Sequence, residues 1–431
     1  MHVLCAVSGG ADSVAMLRLL CESEMHSVTV AHFEHGIRAK DSLEDAAFVE
    51  KLCDNLGVPR IMTSADVPAL ARAHHIGLEH AARIARHTFL RNAMADVGAD
   101  CIALAHHQGD QAETLLMHMG RGAGLRGASC MAEFDPPFWR PLIAWSKPQI
   151  LSYLQKLGQP FREDATNAVL DNPRNLVRHR VLPALELAYP RAQEALCRFC
   201  HIARDEDHYL AQQTDEFLKT HVQTLPNGSR IRLNPAAHRA IMRRAFACLL
   251  NQTDFATLDR LATLCTSPYE RGVIGELRGK HVAYRSSDFV YLIDPGILAP
   301  VPTAAIHGAR LDGVGSLSLS PSPPRIHQLP PLSQTMNPAA LKGAMLRCRL
   351  PGDRFRMLNA HGSRKLSDVF SDRKIDRPLR DFWPLIVREN QVLWIPGIGV
   401  SDEARVLPGA DAAILAAWSP DHPSLPTIHH T

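Results

Sequence analysis

The sequence predicts an α/β protein in three parts: an N-terminal parallel-sheet domain over residues 1–190, a mainly helical middle domain over 191–332, and a small α+β domain over 333–410, before a loosely ordered tail at 411–431. Three observations carry this. From Met1 to Leu157, short apolar runs alternate with stretches of helical period, the signature of a sheet covered by helices on both faces. Beyond Pro183 the period is chiefly helical. A Pro- and Ser-rich stretch, Leu319–Pro338, then reads as a linker to a last compact unit, Leu346–Val406.

Taken in order, Val3–Val7, Val28–Phe33, Arg60–Thr63 and Cys101–Ala105 are short apolar strands. In a parallel sheet, ligands bind at the carboxyl ends of the strands, beside the point where strand order reverses. Leu78–Val97 is a helix that carries Arg83, Arg86 and Arg91 among its apolar positions. Arg191–Leu218 and Ala237–Leu250 are the helices of the middle domain, followed by short strands near His281–Asp294. The tail after Pro408 repeats Pro and His without period.

A chain of 431 residues is long enough for two or three domains and a sizeable core. The formal charge of +3 neither demands nor excludes nucleic acid. No apolar stretch approaches a membrane span, and no basic-then-apolar leader precedes the first strand, so the cytoplasm is the expected compartment. The ten cysteines are scattered through apolar patterns, which indicates reduced, buried thiols. Cys197 and Cys200 have C-x-x-C spacing and share a helix face, but no second pair completes four metal ligands.

Ser8-Gly9-Gly10-Ala11-Asp12-Ser13 lies between the first strand and the helical run Val14–Leu20. Its adjacent glycines let the backbone approach an anion, and the helix start offers unpaired N–H groups and the positive end of a dipole. Ser8 and Ser13 add hydroxyls, whereas Asp12 helps only by holding a cation. No Lys follows Gly10, which excludes the G-x-x-x-x-G-K-[ST] loop. The form SGGxDS resembles the pyrophosphate-loop (PP-loop) ATPases, which cleave ATP between the α and β phosphates. That resemblance implies ATP on Ser8, Gly9, Gly10, Ala11, Asp12 and Ser13.

His106-His107-Gln108-Gly109-Asp110-Gln111-Ala112-Glu113 follows the strand Cys101–Ala105 and opens a helix. Asp110 and Glu113 project from one face of its first turn. They suit the helix dipole, and with Asp12 they suit Mg²⁺ on ATP phosphates. Adjacent histidines on an extended segment diverge, which disfavours zinc. In Arg121-Gly122-Ala123-Gly124, two glycines beside an arginine can take a ligand phosphate, although a glycine helix stop has the same letters.

The series VSGGADS, HFEHGIR (His32–Arg38), LEHAARIAR (Leu78–Arg86), AHHQGDQAET (Ala105–Thr114), RGAGLRG (Arg121–Gly127), WRPLI (Trp139–Ile143) and EDATNAVLDNPRNLVRHRVLP (Glu163–Pro183) resembles the tRNA(Ile)-lysidine synthase family. Pro351–Val387 and Val392–Val406 are similar to that family's C-terminal domain, while about 195–332 matches by position only. Two departures stand out: Gly109 replaces a second Asp common before Asp110, and Met1 nearly abuts the first strand.

The resemblance implies an AMP-forming ligase. ATP adenylates C2 of the wobble cytidine in an isoleucine tRNA with a CAU anticodon, and free L-lysine then displaces AMP to leave lysidine. It implies Asp12, Asp110 and Glu113 around Mg²⁺, ATP also on Arg121 and Gly122, and a carboxylate or His107 to deprotonate the lysine amine. Arg38, Arg83, Arg86, Arg174, Arg178, Arg364, Lys365, Arg373 and Lys374 would meet the tRNA. Phe355, Phe370 and Trp383 are interleaved with basic residues of the terminal unit, where aromatics are more often core than stacking platforms. No membrane partner is implied, and a homodimer is allowed. Two rivals are a tRNA thiolase of the same superfamily, for which Cys197 and Cys200 are the encouragement, and a tRNA-binding protein without catalysis.

Overall fold

A computed structural model describes residues 1–431 apart from 24, 35–38, 163–171, 235, 252–253, 267–271, 278–280, 301–305, 307, 325, 327 and 423–431. The chain divides into two compact units, Met1–Tyr209 and Leu210–Thr431.

The first unit is the expected α/β sheet. Its strands are β1 (His2–Ala6), β2 (Ser27–Glu34), β3 (Arg60–Ser64), β4 (Cys101–Ala103), β5 (Phe134–Asp135) and β6 (Phe138–Trp139), in the order β3-β2-β1-β4-β6-β5. All neighbours are parallel except β5 and β6. Side chains alternate across β1, and this assigns the covering helices to faces. Val3 and Cys5 join the core formed with α1 (Ala11–Glu22), α2 (Ala39–Leu56) and α7 (Lys147–Lys156). Leu4 faces the other way, into the core that holds Leu90 and Ala93. Those two belong to α4 (Leu78–Val97), which follows the short α3 (Val67–His74).

Strand order reverses between β1 and β4, so the loops after these two strands flank the switch point. The first is Ser8–Ser13. The second leads into α5 (Gln108–Gly120), followed by α6 (Leu125–Ala128). Later come α8 (Pro173–Leu176), a π-helical turn Val177–Val181, α9 (Leu182–Ala188) and α10 (Ala192–His221).

The second unit corrects three expectations. Its first part is not clearly mainly helical. Strands β7 (Val222–Leu225), β8 (Gly228–Arg232), β9 (Gly272–Glu276), β10 (Val282–Arg285) and β11 (Phe289–Ile293) form an antiparallel sheet in the order β7-β8-β11-β10-β9. Helices α11 (Arg239–Leu250) and α12 (Phe255–Thr266) share a core with it. Arginine inside the strands masked the pattern: Arg230 is buried, donates to Gln223 Oε1 at 2.7 Å and lies 4.2 Å from the Phe289 ring centre.

Leu319–Pro338 is not a linker, and the tail is not loose as far as it is described. Strands β12 (Arg310–Leu311), β13 (Gly315–Ser322) and β14 (Ser333–Met336) pair with one another through a late strand at Ala413–Pro420, in the order β12-β13-late strand-β14. Because β12 pairs only with Gly315 and Ser316, the far end of β13 has no second strand partner among the described residues, and Pro321 is tolerated there.

The remaining sheet comprises β15 (Met345–Cys348), β16 (Arg354–Phe355), β17 (Arg364–Lys365), β18 (Pro384–Arg388), β19 (Gln391–Ile395) and β20 (Gly399–Val400), with α13 (Leu366–Asp372) and α14 (Arg377–Arg380). The late strand is therefore β21. Phe355, Phe370 and Trp383 are buried core and not stacking platforms. Arg347 and Asp353 form a buried two-bond pair at 2.8 and 2.6 Å. Arg364, Lys365, Arg373 and Lys374 are all exposed, and Arg364 reaches Asp372 at 2.8 Å.

Candidate active site

The Ser8–Ser13 turn is shaped by its glycines and serines. Gly9 has φ +93°, a conformation that L side chains rarely adopt. Gly10 is the N-cap of α1 and has no side chain to satisfy the first helical N–H groups, which leaves them for a ligand. Ser13 Oγ ties the turn by donating to Gly10 O at 2.9 Å and accepting from Ser8 N at 3.2 Å. Arg162 pins it from outside, with its N–H donating to Gly9 O at 2.9 Å and its guanidinium reaching Asp45 and Glu44 at 2.8 and 3.0 Å.

Of three cavities in this region, the first and third reach this turn and the second adjoins the first. The first, about 270 Å³, has Ser8, Gly10, Asp12 and Ser13 on its polar side and Ala31, Phe33, Leu90 and Leu104 on its apolar side, which suits phosphates at one end and a purine at the other. The second, about 410 Å³, shares Arg86, Leu104 and His106 with the first and adds Arg83, Arg121, Arg140 and Arg174. The third, about 310 Å³, shares Asp12 and Asp110 with the first and adds Glu113, Glu186, Lys147 and Arg178.

The carboxylates are already engaged. Asp12 Oδ1 accepts from Lys147 Nζ at 2.6 Å. Asp110 Oδ1 accepts from Arg174 at 2.9 Å. Glu113 is 2% exposed, and its two oxygens accept from Arg174 Nε at 2.8 Å and from Arg178 Nε and Nη2 at 2.5 and 2.9 Å. Arg174 and Arg178, expected to face RNA, are thus turned inward onto α5. Burial alone would raise the Asp110 carboxyl; His107, His106, the His107 N–H and Arg174 outweigh it and hold the group below the usual carboxylate range.

His107 caps α5. Its Nδ1 accepts from Gly109 N at 3.0 Å, and its own N–H donates to Asp110 Oδ2 at 3.0 Å. With the Nδ1 lone pair occupied, the proton of the neutral ring sits on Nε2, which is 3.8 Å from Asp12 Oδ2 and 3.7 Å from Asp110 Oδ2. In this arrangement neither ring nitrogen of His107 presents a free lone pair. Gly109 makes the cap fit, since a Cβ there would lie 2.7 Å from His107 Cε1. His106 is pushed down to about 4 by burial, so it is neutral.

Mg²⁺ on a nucleotide takes one or two carboxylates plus phosphate oxygens. Asp12 and Asp110, which line the nucleotide cavity, fit that donor set. Glu113 does not, because both its oxygens are held by guanidinium groups. Among the described residues no group of three or more His, Cys, Asp or Glu side chains could hold a metal, and the ten cysteines, Cys197 and Cys200 included, are free thiols.

The structure brings together Asp12, His107, Asp110 and Glu113, and it moves Arg121 away from the nucleotide loop to the wall of the second cavity, with Arg83 and Arg86. Gly122 follows at φ +80°, so it acts as a helix stop. Arg38 lies outside the described residues. Sequence reasoning missed Lys147, Arg162 and Arg140. The Ser146–Gln149 capping box does mark the start of the helix bearing Lys147, but nothing local says that it faces Asp12.

No helix among the described residues is long and apolar enough to cross a membrane. Residues 1–185 match a family described as the PP-loop domain, and residues 344–415 match the TilS substrate C-terminal domain. The tRNA(Ile)-lysidine synthase of Geobacter sulfurreducens is 33% identical over 95% of this chain and 92% of its own. The enzyme of that name from Deinococcus deserti is 34% identical over 96% of this chain and 68% of its own. A crystal structure of a TilS C-terminal domain aligns at 21% identity and TM-score 0.25, covering 28% of this chain and 97% of that one.

Proposed function

The chain belongs to the tRNA(Ile)-lysidine synthase family and has its ATP-dependent ligase activity, and from that premise we propose which residues perform each step. Isoleucine tRNA and lysine are the substrates, and ATP enters on the PP-loop domain. In the first step the cytidine C2 oxygen attacks the α-phosphorus and pyrophosphate leaves. The observation that carries the assignment is the apposition of the Ser8–Ser13 turn, with its Asp12, to Asp110 at the sheet's switch point. Ser8, Gly9, Gly10, Ala11 and Ser13 cradle the departing pyrophosphate through backbone N–H groups and hydroxyls. Asp12, with Asp110, would hold Mg²⁺, which would neutralise phosphate charge there.

In the second step a lysine amine nitrogen attacks C2, the C2–oxygen bond breaks, AMP leaves with that oxygen, and the amine loses a proton. The third cavity is where lysine sits: Asp110, Glu113 and Glu186 attract its ammonium, and Lys147 and Arg178 face its carboxylate. A carboxylate of this cavity takes the proton. Holding both reactants at adjoining cavities converts a bimolecular attack into a local one. Arg364, Lys365, Arg373 and Lys374 supply exposed positive charge for the tRNA backbone.

The test is mass spectrometry of nucleosides from isoleucine tRNA after incubation with ATP and labelled lysine, with the spent nucleotide identified in parallel. Labelled lysidine together with AMP is the expected outcome. ADP, or a thiolated base, would overturn the assignment.

A further inference from the structure

The second cavity has no role in the steps above, and its lining is unusual. Four of its arginines, Arg83, Arg86, Arg121 and Arg140, have no carboxylate within ion-pair distance among the described residues. Arg86 Nε, Arg140 Nε and His106 Nδ1 are buried without a hydrogen-bond partner. Buried donors left unpaired cost free energy, and like charges in one concavity add to the cost. Burial first, then Arg83 and Arg174, makes the positive charge on Arg86 unfavourable. An anion in the cavity would relieve all of these.

From this lining we infer that the cavity seats a backbone phosphodiester of the bound RNA, beside the nucleotide being adenylated. The inference rests on the RNA-ligase assignment above. Three features select this ligand. The wall shared through Arg86, Leu104 and His106 places its occupant next to ATP, where the reacting nucleotide must arrive. No Phe, Tyr or Trp lines the cavity, and its five arginines offer forks suited to phosphate. Arg83 and Arg121 are exposed, which leaves the cavity open to a polymer. The nucleotide loop already has its own N–H groups for ATP's outer phosphates, so a second anion site is not needed for ATP. A flipped nucleotide needs its flanking phosphates held while the base is out of the stack, and arginine clamps of this kind do that.

The experiment compares wild type, Arg121→Gln and Arg86→Lys on full-length tRNA, either unmodified or carrying one neutral methylphosphonate 5′ or 3′ of the wobble cytidine. Arg121 is exposed, so its variant tests the idea even if changes at Arg86 disturb folding. Arg121→Gln should raise KM for tRNA about tenfold, leave KM for ATP unchanged and lower the slope of log affinity against log salt by roughly one. Arg86→Lys, which keeps the charge without the fork, should show a smaller loss. One methylphosphonate should weaken wild type about tenfold but add little to the Arg121→Gln defect. Losses that multiply at both positions overturn the proposal. So does a weakened inhibition by pyrophosphate with KM for tRNA unchanged, which would make the cavity a product-anion site. If wild type makes no lysidine while tRNA binding still shows the charge-dependent pattern, the ligase assignment fails and the phosphate seat stands.

Discussion

Glu113→Gln is the sharpest probe of how the site is built. The carboxylate is nearly fully buried and accepts three hydrogen bonds, from Arg174 and Arg178, whose side chains are each 33% exposed. Glutamine keeps the shape and one acceptor oxygen, but turns an NH₂ group toward a guanidinium donor and removes the charge. Removing one partner of a fully buried pair costs about 3–5 kcal/mol. Here the arginines are partly hydrated and Asp110 still faces them, at 2.9 Å from Arg174 and 3.6 Å from Arg178, so about 2 kcal/mol is expected. In a unit of this size that lowers Tm by roughly 4–8 °C, read by calorimetry. Hydrogen exchange should accelerate selectively in Pro173–Ala188, which these bonds tie to α5. A double-mutant cycle with Arg178→Gln should return a coupling of about 1–2 kcal/mol. An unchanged Tm with no coupling would refute the view that Glu113 anchors this segment. Lysine-dependent turnover should fall while ATP–pyrophosphate exchange with tRNA persists, because Glu113 is assigned to the lysine cavity alone.

Four further outcomes follow from the geometry. Asp12→Ala should abolish ATP–pyrophosphate exchange in the presence of tRNA and leave tRNA binding within a few fold; full exchange would remove Asp12 from the nucleotide site. Gly109→Ala should cost about 1 kcal/mol in a denaturant titration, because the new Cβ displaces His107 and breaks its cap, and His107→Ala should cancel that sensitivity. His106 stays neutral in the fold to about pH 4 but protonates below its ordinary value of 6.5 when unfolded. Stability should therefore fall as pH drops from 6.5 toward 4, by about 2 kcal/mol at pH 5, and His106→Gln should flatten that slope. Reversing Arg373 and Lys374 to Glu should weaken tRNA binding and reduce its salt dependence, and an unchanged salt slope would mean that this exposed cluster is ordinary surface.

What was legible in the sequence is what neighbouring residues decide together. The strand, glycine turn and helix at His2–Glu22 follow from apolar runs and from a φ that glycine adopts freely, and the register of Asp110 and Glu113 on one face of α5 follows from the helical repeat. The sheet in the second unit was not legible. Its strands are short, β8 buries an arginine under Phe289, and β13 alternates serine with leucine, so neither period nor hydropathy stood out.

The amino-acid order alone determined the nucleotide turn, the register of the carboxylates beside it and the strands and helices that carry them, because each depends on contacts within a turn or two of chain. Tertiary structure alone decided who neutralises those carboxylates. Lys147 meets Asp12 across 135 positions, and Arg174 and Arg178 meet Glu113 across 61 and 65, so that two half-buried arginines expected on RNA pair with a carboxylate of α5. It likewise gathered Arg83, Arg86, Arg121 and Arg140 around one cavity. The physical reason is that charge acts through space: a buried carboxylate takes whichever cation the folded chain delivers, and no local pattern records the delivery.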